Sequence, residues 1–364
     1  MHIAFSFNLK DESACVEDAA EPPSEPPAKP PGTFPDDLYA EWDDVHTVRA
    51  VESALGSKHQ VTLVDANLDA FETFRRLRGQ IDLVFNIAEG LHSASREGQI
   101  PAMLDMLGIP YTGSDPLTLG LCLDKRRTKE ILRYNNVPTP RFWTVATLAE
   151  IPARLSYPLI VKPTLEGSSK GVTDRSLVYN RRELTQQVDW VLSTYRQPVL
   201  VEDFLPGREF TVAMIGNGEN VRALPIVELN FAALPFGVKP IYSFEAKWVW
   251  DRVEDPLQIF SCPARIESFM QHRIENICRR AFNALGCRDW CRIDVRLDAT
   301  GHPQIIELNP LPGILPRPEQ NSCFPKAARA AGLNYDETIL AVVDAACQRL
   351  GLIEDESHER CRLL

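Results

Sequence analysis

The 364-residue chain has no two cysteines in CxxC spacing, although nine cysteines (positions 15, 122, 262, 278, 287, 291, 323, 347 and 361) are scattered along it. Without paired spacing, and with several in apolar surroundings, they read as reduced thiols. No window of about 18 apolar residues occurs, which argues against a membrane-spanning helix. The start, Met1 to Asn8, lacks a basic segment followed by a long apolar one, so a cytoplasmic location is the expectation. No basic run is dense enough to follow a phosphate backbone. With 50 acidic against 39 basic residues and a net charge of -11, nucleic acid is not an expected partner. No repeat with a period of roughly 20–50 residues is visible, which excludes solenoids and propellers.

The remainder is ordinary globular composition, 44% hydrophobic and 24% charged, enough for two or three domains with cores. Strand-like runs at 2–7, 60–64 and 81–86 alternate with helical patterns at about 44–55 and 68–78. Each helix is expected to close at a glycine, Gly56 and Gly79. This alternation predicts an α/β domain with a mostly parallel sheet. Glu21 to Pro35 interrupts it with seven prolines in fifteen residues. That segment is extended or without regular structure, and leaves the end of a strand that faces a ligand crevice in open α/β sheets.

Beyond Asp124 a helix to about Asn135 is followed by strands at 157–163 and 198–203 with a helix near 181–195 between them. A strand at 208–216, a lid-like stretch at 230–263 and an amphipathic helix come next. The apolar stripe of that helix is Ile266, Phe269, Met270, Ile274, Ile277, Cys278, Ala281 and Leu285. The expected domains are 1–124, 125–209 and 210–364.

The chemistry concentrates between Cys291 and Gly313. Alternation from Cys291 to Leu297 puts Arg292, Asp294 and Arg296 on one face and Ile293, Val295 and Leu297 on the other. Asp298 to Pro303 makes a turn. The returning strand, Gln304 to Asn309, places Glu307 and Asn309 on one face and Ile306 and Leu308 on the other. The hairpin therefore gathers Asp294, Glu307 and Asn309, a hard-oxygen set of the kind magnesium takes when phosphates complete its octahedron. A solvated polar face is the plainer reading of the same residues. Arg292 stands ready for an anionic intermediate, and Pro310, Pro312 and Gly313 form a turn whose amides can face an oxyanion.

Lys162 to Val172 follows an apolar strand as a glycine- and serine-containing loop able to close over phosphates. It matches neither the Walker A nor the G-x-G-x-x-G spacing. Val199 to Leu205 reads as a buried strand entering an acidic hinge, where backbone groups and Glu202 can take an adenine edge and Glu209 a ribose.

In this order the motifs resemble the D-alanine:D-alanine ligase family of the ATP-grasp superfamily, over roughly residues 80–345. The most specific parts are Arg96 to Ser114 (REGQIPAMLDMLGIPYTGS), Leu123-Asp-Lys, Ile160-Val-Lys-Pro, Glu166-Gly-Ser-Ser-Lys-Gly-Val, Arg292-Ile-Asp-Val and Glu307-Leu-Asn-Pro. The resemblance implies an ATP-grasp fold, α/β (α+β), in which the nucleotide is held between the central and C-terminal domains. It also implies that Lys125, Lys162 and Ser169 contact ATP phosphates. Glu202, Asp203, Phe204 and Leu205 would hold adenine, Glu209 ribose, and Asp294, Glu307 and Asn309 two magnesium (or manganese) ions. Arg292 and the Gly313 amide would stabilise a tetrahedral intermediate. Ser168 would lie in the closing loop, Lys247 would touch phosphate from the lid, and Ser322 would lie near the second substrate. The implied reaction activates a carboxylate as an acyl-phosphate that an amine attacks. The implied partners are small-molecule amino acids and carboxylates, with no membrane, and a homodimer.

Two departures bear on the substrate. In place of the family's glycine-rich turn with a glutamate, Asn8 to Ser13 leads into the proline-rich segment, where Glu12 or Glu17 are the candidate replacements. The lid carries Trp248 where ligases making D-alanyl-D-alanine have a tyrosine bonded to the loop serine, and an indole N–H donates but cannot accept. The expectation is thus a ligase joining an amino acid to another amino acid or carboxylate. D-alanine:D-alanine ligase of cell-wall synthesis is the alternative, and an ATP-binding regulatory protein without turnover is the reading from another class.

Overall fold

The computed structural model describes residues 1–10, 40–91, 93–251 and 256–352. The proline-rich segment 21–35, Glu12, Glu17, Cys15 and Cys361 lie outside the described residues.

Three sheets build the chain. The first is parallel, with β1 (His2–Phe7), β2 (Gln60–Asp65) and β3 (Leu83–Asn86) in the order β2-β1-β3. Helices α1 (Val45–Gly56), α2 (Ala70–Leu77), α3 (Gln99–Leu107) and α4 (Pro116–Leu123) accompany it. β1 is buried on both faces, as parallel strands between helices are: Ile3, Phe5 and Phe7 enter one core and Ala4 another. Asp44 caps α1 by accepting from the Thr47 amide at 2.7 Å. The Gly79 expectation corresponds to a left-handed residue after α2 (φ +79°). Gly56 is not such a residue. It is the last residue of α1, and Ser57 closes the helix in the right-handed conformation, so no positive φ is needed there.

The second sheet is antiparallel, β4 (Phe142–Val145), β5 (Leu159–Pro163), β6 (Leu177–Val178) and β7 (Val199–Asp203) in the order β4-β7-β5-β6. It packs on α6 (Arg181–Tyr195) through Leu184, Val188 and Val191. Ahead of it, α5 (Lys125–Tyr134), capped by Asp124, inserts Leu132 into the core of the third sheet.

The third sheet is also antiparallel, β11-β10-β8-β12-β13 with β9 on β8. Its strands are β8 (Glu209–Ile215), β9 (Arg222–Ala223), β10 (Val227–Leu229), β11 (Phe260–Ser261), β12 (Trp290–Leu297) and β13 (Pro303–Asn309). α7 (Ser268–Leu285), α8 (Cys323–Ala330) and α9 (Tyr335–Leu350) complete the chain. On α7 the core stripe includes Phe282, whereas Phe269 is 71% exposed and lies under the Arg273 guanidinium. Phe269 sits in the first turn, before the helix reaches the sheet.

One core spans both ends of the sequence. Ile3, Phe5 and Val51 share it with Phe324, Val342 and Val343, and Trp290 packs between Phe85 at 5.8 Å and Phe324 at 5.6 Å. The seven described cysteines are free thiols, and no described helix is long and apolar enough to cross a membrane.

Candidate active site

The three sheets meet around a cavity of about 460 Å³. The β12–β13 hairpin forms its floor. Antiparallel register puts Asp294 directly opposite Glu307 and Arg292 opposite Asn309. A bulge follows Asp294, so Val295 faces Ile305. The core face of β13 is therefore Ile305 and Leu308, and the expected placement of Ile306 beside Leu308 in the core is corrected. The bulged Ile306 lines the cavity instead.

Arg292 donates to both Asp294 oxygens (3.2 and 3.0 Å) and lies 3.8 Å from Glu307, which is 3.4 Å from Lys125. Two facing carboxylates divide their burden. Burial raises the Asp294 pKa despite Arg292, while Lys125, Lys162 and Arg292 outweigh burial at Glu307 and hold it low. Asn309 Nδ2 stands 3.5 Å from Asp294 Oδ2. No group of three His, Cys, Asp or Glu among the described residues is arranged to hold a metal by itself. The hairpin's two carboxylates and one amide instead suit a hard cation that completes its shell with phosphate and water, as magnesium does.

Lys162 is buried on β5 with its ammonium 2.5 Å from Glu202, whose other oxygen is 2.8 Å from Lys129. Lys129 is fully buried and also donates to Thr139 Oγ1 and the Ile306 carbonyl. Burial draws Lys129 down to about 8 despite Glu202, and repulsion from Lys162 across the shared carboxylate adds to it. With both Glu202 oxygens engaged by lysines, the hinge offers backbone. The Leu205 amide makes no hydrogen bond among the described residues. Glu209 pairs with Arg296 at 2.8 Å, and that guanidinium lies over Phe204 (4.6 Å) and Phe231 (4.9 Å).

The loop after β5 and the lid are docked. Lys247 Nζ donates to Ser168 Oγ and Trp248 Nε1 to the Ser168 carbonyl, both at 3.1 Å, and Ser169 Oγ donates to the Tyr242 carbonyl. The indole acts as donor only, as its chemistry requires. Ser168 and Ser169 both have positive φ (51° and 60°). Successive non-glycine residues held there mark a conformation fixed by its surroundings. Burial, then Arg292, lowers Lys247 to about 8. Ser322 Oγ donates to the Gly313 carbonyl at 2.8 Å. Lys125 Nζ donates to the Glu166 carbonyl.

Every described candidate catalytic, nucleotide, metal or substrate residue from the sequence lines this cavity, from Lys125 and Lys162 through the hinge at 202–205 to Gly313 and Ser322. Sequence reasoning missed an ion cluster on the opposite wall. Glu41, just past the proline-rich segment, pairs with Arg96 (2.9 Å) and Lys170 (2.7 Å), and Lys170 also with Glu166 (2.8 Å). Burial would raise the Glu41 pKa, but Arg96 and Lys170 hold it low. Lys129 was missed too, although its i+4 spacing from Lys125 on one helix was a usable signal.

The family model described as "D-ala D-ala ligase C-terminus" matches residues 131–344. An uncharacterized protein, y4sG, of Sinorhizobium fredii is 38% identical over 267 residues, 73% of this chain and 75% of that protein. A D-alanine:D-alanine ligase of Bordetella petrii is 34% identical over 302 residues, 80% of this chain and 86% of the relative. The crystal structure of D-alanine:D-alanine ligase from Bacillus anthracis complexed with ATP superposes with a TM-score of 0.68 at 21% identity, covering 96% of this chain and 98% of that one.

Proposed function

Since this chain belongs to the D-alanine:D-alanine ligase family and is an ATP-dependent ligase of that type, we propose that it joins an amino acid other than D-alanine to a second amino acid or carboxylate through an acyl-phosphate. The observation that carries the reaction type is the Asp294–Glu307 register pair with Arg292 and Lys125 around it. Lys125, Lys162 and Lys247 converge on the same cavity and supply cationic charge for a triphosphate. A substrate carboxylate oxygen attacks the γ-phosphorus, the bond to ADP breaks, and an amine then attacks the acyl carbon and expels inorganic phosphate. The tetrahedral oxyanion faces Arg292 and the Gly313 amide, groups positioned before charge develops. Asp294, Glu307 and Asn309 would hold magnesium, which would supply charge neutralisation at the phosphates. The Leu205 amide takes the adenine edge, and the hinge residues Asp203 and Phe204, with Glu209, bound that site. Ser168 and Ser169 close over the phosphates, and Ser322 supports the Gly313 turn.

Trp248, donating to the Ser168 carbonyl where a tyrosine hydroxyl is expected, supports the reading that the substrate differs from D-alanine. By the same family likeness the protein works on small molecules in the cytoplasm as a homodimer of three-domain chains (1–124, 125–209 and 210–364). Magnesium-dependent ADP release measured with single amino acids of both chiralities tests the reading. Release should require an added amino acid and fall about a hundredfold in Asp294→Asn. Rapid turnover with D-alanine alone would overturn the substrate reading, and ADP formation untouched by Asp294→Asn would overturn the site.

A further inference from the structure

The floor of the cavity extends one strand beyond the hairpin. β8 runs beside β12 in a register that puts Thr211 directly opposite Asp294, and Asp294 has Glu307 opposite it on its other side, in β13. Thr211, Asp294 and Glu307 thus form one row across three strands, and all three line the cavity. Alternation along β8 sets this orientation: Phe210, Val212 and Met214 enter the core, which leaves Glu209 and Thr211 facing the cavity.

Thr211 is only 3% exposed, and its Oγ1 is buried without a formed hydrogen bond among the described residues. The hydroxyl nevertheless lies close enough to the Asp294 carboxylate to act on it. A buried hydroxyl short of a well-aligned partner is unfavourable. Valine would fill the same strand position with the same β-branched shape and without that cost. A threonine here therefore has its use in the hydroxyl, and Asp294 is the acceptor that the register supplies.

The other groups around Asp294 have second tasks. Arg292 bonds both of its oxygens but also faces the oxyanion of the reaction proposed above. Asn309, 3.5 Å away, belongs with Asp294 and Glu307 to the oxygen set suited to the cation. Thr211 stands on a strand paired on both sides, by β10 and β12, so its backbone is fixed. We infer that Thr211 is a positioning residue for the cation site: its hydroxyl donates to the Asp294 carboxylate and fixes the direction in which that carboxylate faces Glu307. A carboxylate held against rotation keeps its oxygens aimed at the place a cation takes, and losing such a holder weakens metal binding without removing a ligand. The inference rests on the reading of Asp294, Glu307 and Asn309 as the magnesium residues.

The test is calorimetric titration of ADP into the whole chain, with magnesium and with a chelator in its place, so that no turnover is needed. The quantity read is the factor by which magnesium tightens ADP binding. Thr211→Val, which deletes the hydroxyl and keeps the shape, should reduce that factor about tenfold and leave magnesium-free binding unchanged. Thr211→Ser, which keeps the hydroxyl, should retain it. An undiminished factor in Thr211→Val overturns the inference and leaves the magnesium reading intact. So does a loss in Thr211→Ser as large as in Thr211→Val, which would assign the effect to the methyl group. Equal weakening of magnesium-free binding would show general disruption of the cavity and also refutes it. Should Thr211→Val not fold, Thr211→Ser against Thr211→Ala decides: a roughly tenfold difference in the factor upholds the inference, and equal factors refute it. If magnesium does not tighten ADP binding to the unaltered chain, the magnesium reading itself fails and the inference falls with it.

Discussion

The two walls of the cavity pair their charges to different degrees. On the nucleotide side acids and bases are matched within the protein: Glu202 lies between Lys129 and Lys162, Glu209 holds Arg296, and Glu307 faces Lys125. On the other wall Glu41 is matched by Arg96 and Lys170, while Glu97 meets Arg96, Lys125 and Lys170 only at longer range. Internal pairing orients cationic groups before the ligand arrives, so a common nucleotide can be met by the same geometry each time. A wall where some acids are met only at longer range leaves its charge balance open to the ligand, which makes it a place of discrimination.

Breaking the matched side should have the largest consequences. Arg292→Ala removes the group facing both hairpin carboxylates and the developing oxyanion, and kcat for ADP release should fall about a thousandfold. A smaller loss would show that the Gly313 turn carries most of that stabilisation. Next, Lys129→Met leaves one side of the buried Glu202 carboxylate unpaired, and urea unfolding should show a loss of about 3 kcal/mol. Unchanged stability would mean that Lys162 alone satisfies Glu202.

A pH series sharpens the contrast further. Lys247 titrates near 8 in the folded protein instead of at its ordinary, higher value. The folded lysine thus sheds its proton first, and between about pH 8 and the ordinary lysine pKa the unfolded chain binds more protons. The penalty for burying the charge is fully present below pH 8 and is relieved as pH rises, so this group makes stability rise with pH across that window. Catalysis should move the other way: kcat/KM for ATP falls as pH passes about 8, and Lys247→Arg extends the plateau to higher pH. The smallest expected effect belongs to Trp248→Phe. It deletes one hydrogen bond to the Ser168 carbonyl from a partly exposed side chain and should raise KM about fivefold.

Much of the fold was legible because its signals are local. The prolines, caps and alternating runs place β1, β2, β3, α5, β5, α6, β7 and β8 close to where they lie. The residues picked on the hairpin, hinge and lid meet in one cavity because period-two alternation and strand order bring them there. What escaped depends on long-range placement or on interrupted periodicity. The bulge after Asp294 shifts Ile306 out of the core, and nothing in the residue types announces it. Phe269 fits the helical stripe yet lies in solvent, because the stripe begins before the helix meets its sheet. Glu41 was invisible for a different reason: it follows a segment with no periodicity, and its partners Arg96 and Lys170 stand 55 and 129 residues away. Lys129 looked like one charge among several on a highly charged helix, and only the crossing of β7 turns it into a buried ion.

The core shared by Ile3, Phe5 and Val51 with Val342 and Val343 has a consequence for biosynthesis. During translation β1 and α1 emerge roughly 300 residues before α9, and at about 5–20 residues per second one face of the first sheet waits tens of seconds for its cover. Over that interval the part of this core that α1 does not cover, on β1 and on α1 itself, forms an adhesive surface on the nascent chain, so this ligase should depend on a holdase chaperone while it is being made. Chains arrested before Tyr335 should be found aggregated or degraded.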